Sequence, residues 1–210
     1  MFFRRMLYIF VSVLILAPAA QADPCGVPDP VLSTLDHYAT WQISCLNCPQ
    51  GDGQDMDGCA AFGGAVVPYP AITLTLLDLN ADPIPMYPPE DLWLEAADGG
   101  MVFCPGGTIA DSMTDPNGET TFTNPLFAGG WSTAGILGII SGVALVQPPL
   151  DILVNSPDIN ASLTVDLTDV ILFVTDMFGA YNYRSDLHWD GALDLTDVVL
   201  LAQHMQHDCP

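Results

Sequence analysis

The sequence predicts a two-part protein: a mostly β domain built as a sandwich, then a small all-α unit in which two acidic loops each lead into a helix. Three observations carry that expectation. Between residues 31 and 155, short apolar or alternating runs are separated by Gly, Pro, Asn and Asp, with no long helical period. From residue 156 onward one acidic loop is written twice, at an offset of 28 residues. The chain also opens on a short apolar run of the kind that directs export.

Residues 1–22 read as a secretory leader. Arg4 and Arg5 give the charged start, 6–16 the apolar run, and Ala20-Gln21-Ala22 a small-x-small cleavage site. The run is too short to span a bilayer and no second one follows, so the expectation is a secreted chain with no membrane span after cleavage. Cleavage before Asp23 leaves 188 residues, read as a β domain over 23–155 and a second domain over 156–210. Arg184 alone then stands against all 25 acidic residues, a net charge of −24. Such a chain cannot neutralise phosphates, which excludes nucleic acid as a partner. It suits cation binding, a cationic partner or a saline medium.

The six cysteines, at 25, 45, 48, 59, 104 and 209, read as up to three disulfides in an exported protein. No strand–helix unit surrounds Cys45-Leu-Asn-Cys48, so a redox pair is disfavoured. A zinc site would need a second closely spaced pair.

In the middle of the chain, strands are expected at 31–35, 71–79, 92–97, 101–104, 120–123, 137–140, 143–146 and 152–154. Ile72-Thr-Leu74-Thr-Leu76 alternates as a half-buried strand should. Asp115-Pro-Asn-Gly118 reads as a tight turn, and 44–64 as a Cys-bounded loop. The familiar nucleophile, zinc-protease and phosphate-loop motifs are absent. Glu90, Asp91 and Glu95 are close in sequence, and Tyr87, Trp93 and Trp131 are candidate sugar-stacking aromatics, with burial in a core the competing reading. Residues 52–58 imitate an ion-binding loop without its later ligands, and His204 and His207 share a helical face.

The repeated loop runs from Asp158 to Asp169 and again from Asp186 to Asp197. Positions one, three, five, nine and twelve hold Asp158, Asn160, Ser162, Asp166 and Asp169, then Asp186, His188, Asp190, Asp194 and Asp197. Position seven, Thr164 and Ala192, would offer a backbone carbonyl. Alternate oxygen donors around twelve residues are the pattern by which a loop wraps calcium, so two calcium sites are expected. Two departures stand out. Leu163 takes position six, where a left-handed backbone favours glycine, as Gly191 provides in the second loop. His188 is a poor donor to a hard cation.

Loop followed by apolar helix, twice, with Asp rather than Glu at position twelve, resembles the dockerin domain, a duplicated half of an EF-hand. Pro157 directly before the first loop argues against an entering helix. The resemblance covers about 156–207. It implies two EF-hand-type calcium loops on an all-α domain that docks onto a cohesin-type partner, in a setting linked to polysaccharide breakdown. It also implies that loop positions ten and eleven, Leu167 with Thr168 and Leu195 with Thr196, contact that partner. More weakly, 72–85 followed by Thr114-Asp-Pro-Asn-Gly-Glu-Thr-Thr-Phe122 is similar to bacterial immunoglobulin-like domains of the invasin type. The functional expectation is a non-catalytic, calcium-loaded docking component. The alternative is a small carbohydrate-binding or carbohydrate-active sandwich tethered by the docking part.

Overall fold

A computed structural model of the chain describes residues 26–37, 42–56, 60–61, 65–66 and 71–210. The expected leader lies outside them. The described residues are mostly β, with two short helices. The strands are β1 (Thr34–Asp36), β2 (Ile43–Leu46), β3 (Ala60–Ala61), β4 (Ala65–Val66), β5 (Ile72–Thr75), β6 (Leu92–Ala96), β7 (Met101–Phe103), β8 (Glu119–Phe122), β9 (Ala128–Gly130), β10 (Ile136–Ile140), β11 (Val143–Ala144) and β12 (Ile152–Asn155). Two helices follow, α1 (Leu167–Met177) and α2 (Leu195–Gln203).

Alternation places the core. In β5, Ile72 and Leu74 are buried while the two threonines are half-covered; in β6, Leu92, Leu94 and Ala96 are buried. Antiparallel pairing stacks Leu35 on Leu74 and Ile72 on Phe122 between β1, β5 and β8, and joins β10 to β6 on one side and β11 on the other. These faces meet in one apolar cluster with Ile43, Ile136, Ile152 and Val154. β7 pairs with β9, and the fourth sheet runs β12-β2-β3-β4 with β12 and β2 parallel.

The parallel pair links the two halves of the chain. All four residues of β2 and all four of β12 are buried, the signature of strands covered on both faces. The second cover is the C-terminal segment. Leu46 joins its core with Ile159, Val165, Phe173, Leu187, Trp189 and Leu201. Asn155 donates to the Asp186 carbonyl at 2.7 Å and accepts from the Trp189 indole at 3.0 Å. Cys104, just past β7, is disulfide-bonded to Cys209. Cys45 is disulfide-bonded as well.

The expected fold class is therefore corrected. The described residues are mostly β, and the segment after β12 is not an all-α dockerin domain with EF-hand loops: it carries two short helices of 11 and 9 residues. No helix leads into either loop among the described residues. β12 precedes the first, and a single 3-10 turn, Tyr183–Ser185, precedes the second. The described strands form four small sheets, one with a parallel pair. All eight expected strands overlap observed ones, while β2, β3, β4 and β9 were not expected. No helix among the described residues is long and apolar enough to cross a membrane.

The Cys104–Cys209 bond closes a separation of 105 residues. Cross-links of that span restrict the unfolded chain, and removing one typically costs about 2–5 kcal/mol. The double variant Cys104→Ser/Cys209→Ser should lose stability in that range in denaturant unfolding with calcium present. An unchanged midpoint would show that the tail is held by other contacts.

Candidate functional site

The two acidic loops fold onto the same backbone path. Positions four and six take positive φ in both: Ala161 (60°) and Leu163 (66°), then Trp189 (55°) and Gly191 (82°). Leu163 thus adopts the left-handed conformation expected of position six, at roughly 1–2 kcal/mol for a residue with a Cβ.

The hydrogen bonds repeat at the same offset. The position-one carboxylate accepts the position-six amide: Leu163 N to Asp158 at 2.7 Å, Gly191 N to Asp186 at 2.9 Å. The position-twelve carboxylate accepts the amides of positions three and nine. Asp169 takes Asn160 N and Asp166 N, at 3.1 and 2.9 Å; Asp197 takes His188 N and Asp194 N, both at 3.0 Å. Position nine caps the following helix. Asp166 accepts Thr168 N at 2.6 Å and Asp194 accepts Thr196 N at 2.7 Å, each completing a capping box with the Asp three residues on. The Asp-Leu-Thr-Asp repeat thus serves as a helix-start signal, a role that its spacing also encodes.

The donors divide into two groups. Asp158, Asp169, Asp186 and Asp197 have no exposed surface, whereas Asn160, Ser162, Thr164, Asp166, Asp190, Ala192 and Asp194 are exposed. His188 is half-buried, its Nδ1 3.6 Å from Asp190. Burial pushes the Asp158 carboxyl up to about 6; the Ser162 and Leu163 amides pull against that shift and the Asp169 charge adds to it. Burial also raises Asp169 and Asp197. Asp186 Oδ2 accepts from Tyr181 at 2.7 Å, yet its buried Oδ1 has no hydrogen-bond partner. A fully buried carboxylate oxygen with an open lone pair is a group that a hard cation would satisfy. The residues present therefore fit calcium, most directly in the second loop.

Several supporting residues escaped the sequence reading. Tyr181 holds Asp186, and Asn155 holds the Asp186 carbonyl. Arg184, the one Lys or Arg among the described residues, is bound to Asp176 rather than to the loops: Nε and Nη2 reach its two oxygens at 2.7 and 2.9 Å, and Ser185 adds a third bond at 2.7 Å. Burial would raise the Asp176 carboxyl, but the Arg184 and Ser185 bonds outweigh it and hold it below its usual value. Only an acid placed where the chain turns back toward Arg184 could have signalled this pair.

The other candidates separate from this site. Tyr87, Trp93 and Trp131 are each half-buried rather than presented as an exposed row, and the Trp93 indole donates to Glu95 at 2.7 Å. Leu167 and Leu195 are 72% and 71% exposed and do not pack between the helices.

The raised Asp158 carboxyl sets a pH signature. Its proton is held more tightly folded, about 6, than at the ordinary value of 3.8. Its contribution to stability is full below the unfolded value and lost as pH rises through the folded one. In chelator, acidifying from about pH 7 to about pH 5 should stabilise the wild type more than Asp158→Asn, read by thermal unfolding. Equal pH slopes for both proteins in chelator would rule out a buried, proton-hungry Asp158.

No protein-family model, curated protein or solved structure matches this chain, so what can be said of its function comes from these loops and the faces beside them.

Proposed function

We propose that this is a secreted, non-catalytic protein whose C-terminal segment binds two calcium ions and presents α1 and α2 to a protein partner. The observation that carries this reading is the pair of buried, like-charged carboxylates in each loop, with Asp186 Oδ1 left unpartnered and the only nearby cation engaged elsewhere. Calcium would supply the positive charge that lets Asp158 and Asp169, and Asp186 and Asp197, stay ionised together. Asn160, Ser162 and Asp166, and Asp190 and Asp194, stand at the exposed rim to complete each shell, with the carbonyls of Thr164 and Ala192. The order of these residues does the rest: the carboxylates that would hold the ion also start each helix.

The helices then offer matched faces. On α1 and just past its end, Leu167, Ile171, Val174 and Phe178 are exposed at 72, 65, 43 and 83%. On α2, Leu195 and Val199 repeat the first two at the 28-residue offset, and Ala202 the third. Apolar side chains at helical spacing, facing water beside Thr168 and Thr196, suit a small apolar contact rimmed by hydrogen bonds. A cohesin-type module is the partner that the resemblance of the repeat implies. The duplication supports docking by either helix after a half-turn. Association with polysaccharide breakdown remains tied to that partner rather than to a residue of this chain.

Three measurements test this. Calorimetry should give two calcium equivalents, and circular dichroism of the full mature chain should lose helix in chelator; unchanged helicity with no calcium uptake would end the calcium reading. For docking, Leu167→Asp and Leu195→Asp should each still bind an immobilised cohesin module, and the double variant should not. Binding by the folded double variant would remove these faces from the interface.

A further inference from the structure

Outside the two loops, three donors of different chemistry converge where the tail meets the β domain. Cys48 lies just past β2, buried and not disulfide-bonded. Asp52 lies on the loop that follows, whose path is set by Gly51 N on the Cys48 carbonyl at 2.9 Å and Gln54 N on the Leu46 carbonyl at 2.8 Å. His207 comes from the tail beyond α2. Its backbone is pinned on both sides, N–H to the His204 carbonyl at 3.1 Å and carbonyl to Val165 N at 2.9 Å. The Cys104–Cys209 disulfide fixes the chain two residues later.

The ring nitrogen His207 Nδ1 stands 3.6 Å from Cys48 Sγ and 3.0 and 3.2 Å from the two Asp52 oxygens. One ligand atom from each residue lies within 4.8 Å of the other two. A nucleophile–histidine–acid relay needs the thiol on one ring nitrogen and the carboxylate on the other. Here both address the same nitrogen, so the arrangement does not serve a relay. Three donors around one point do match an ion. With metal–ligand bonds of about 2.0–2.3 Å, neighbouring donors of a tetrahedral site stand roughly 3–4 Å apart.

We propose that Cys48, Asp52 and His207 form a third metal site, for a borderline transition ion of the zinc class rather than calcium. Thiolate and imidazole are soft or intermediate donors that a hard cation does not choose. One thiolate and one carboxylate balance a divalent charge, so the bound site is neutral. Asp52 is exposed, which leaves an entry path and room for water as the fourth ligand. His204, edge-on to His207 at 5.3 Å between ring centroids, is turned to the Leu200 carbonyl through Nδ1 at 2.7 Å and stays outside the three. The ion would join the 47–56 loop to the tail beside the disulfide. Its uptake would release the Cys48 proton.

The test is a cobalt titration of the full mature chain, with calcium in excess so that the acidic loops are filled. A single equivalent should produce a thiolate-to-cobalt charge-transfer band and the intense visible bands of a four-coordinate ion, and zinc should displace it. Cys48→Ser should abolish the charge-transfer band. Asp52→Asn, at an exposed position that does not endanger folding, should weaken cobalt at least about tenfold, since even outer partners of metal ligands are worth 10–100-fold. His207→Gln should do the same, while Asp158→Asn should leave the band intact. Absence of the charge-transfer band in the wild type would overturn the proposal. So would an unchanged titration in Asp52→Asn, or peptide mapping that finds Cys48 in a disulfide in the purified protein.

Discussion

The C-terminal segment depends on one electrostatic constraint: four carboxylates, Asp158, Asp169, Asp186 and Asp197, lie without exposed surface, and the one Lys or Arg among the described residues, Arg184, is bound to Asp176. Ionised groups in such surroundings cost several kcal/mol each unless something offsets their charge. Backbone amides do part of that, and they come from the same residues that turn the loops and begin the helices. Charge, loop shape and helix start are therefore not separable here. A change at Asp169 or Asp197 touches all three at once.

The β domain feeds into the same arrangement. Gly129 in β9 is needed because a Cβ there would fall on the Asp158 carboxylate, and Gly130 N donates to the Asp158 carbonyl at 2.7 Å. Ser156 donates to the Ala128 carbonyl at 3.3 Å, fixing the start of the loop against the same strand. The first loop is thus seated on the β7–β9 ribbon, and the second is seated on β12 through Asn155 and Trp189.

Legibility follows from which interactions are local. The alternating Ile72–Thr75 strand and the 28-residue repeat depend on nearest neighbours, so both could be read, down to the left-handed Leu163. β9 is Ala-Gly-Gly, with no intrinsic strand preference, and exists because β7 pairs with it. Helical periodicity shows that Phe173 and Leu201 face something apolar; it does not reveal that Leu46 of a β-strand is part of what they face. That gap produced the expectation of a self-contained all-α unit. The Cys48, Asp52 and His207 cluster was invisible for the same reason, since residues 159 apart have no spacing to read. The shared backbone path of the two loops was legible in their repeat, while the residues that hold Asp186, Tyr181 and Asn155, were not.

The covalent closure near the chain end has a mechanical consequence. A partner pulling on α1 or α2 would load the C-terminal segment against the β domain. Without the bridge, that force would run through a single attachment, the backbone entering from β12, and would peel the segment away from one side. With Cys104 bonded to Cys209, tension is shared between two covalent anchors at opposite ends of the segment, so its contacts with β2 and β12 are sheared together rather than unzipped in turn.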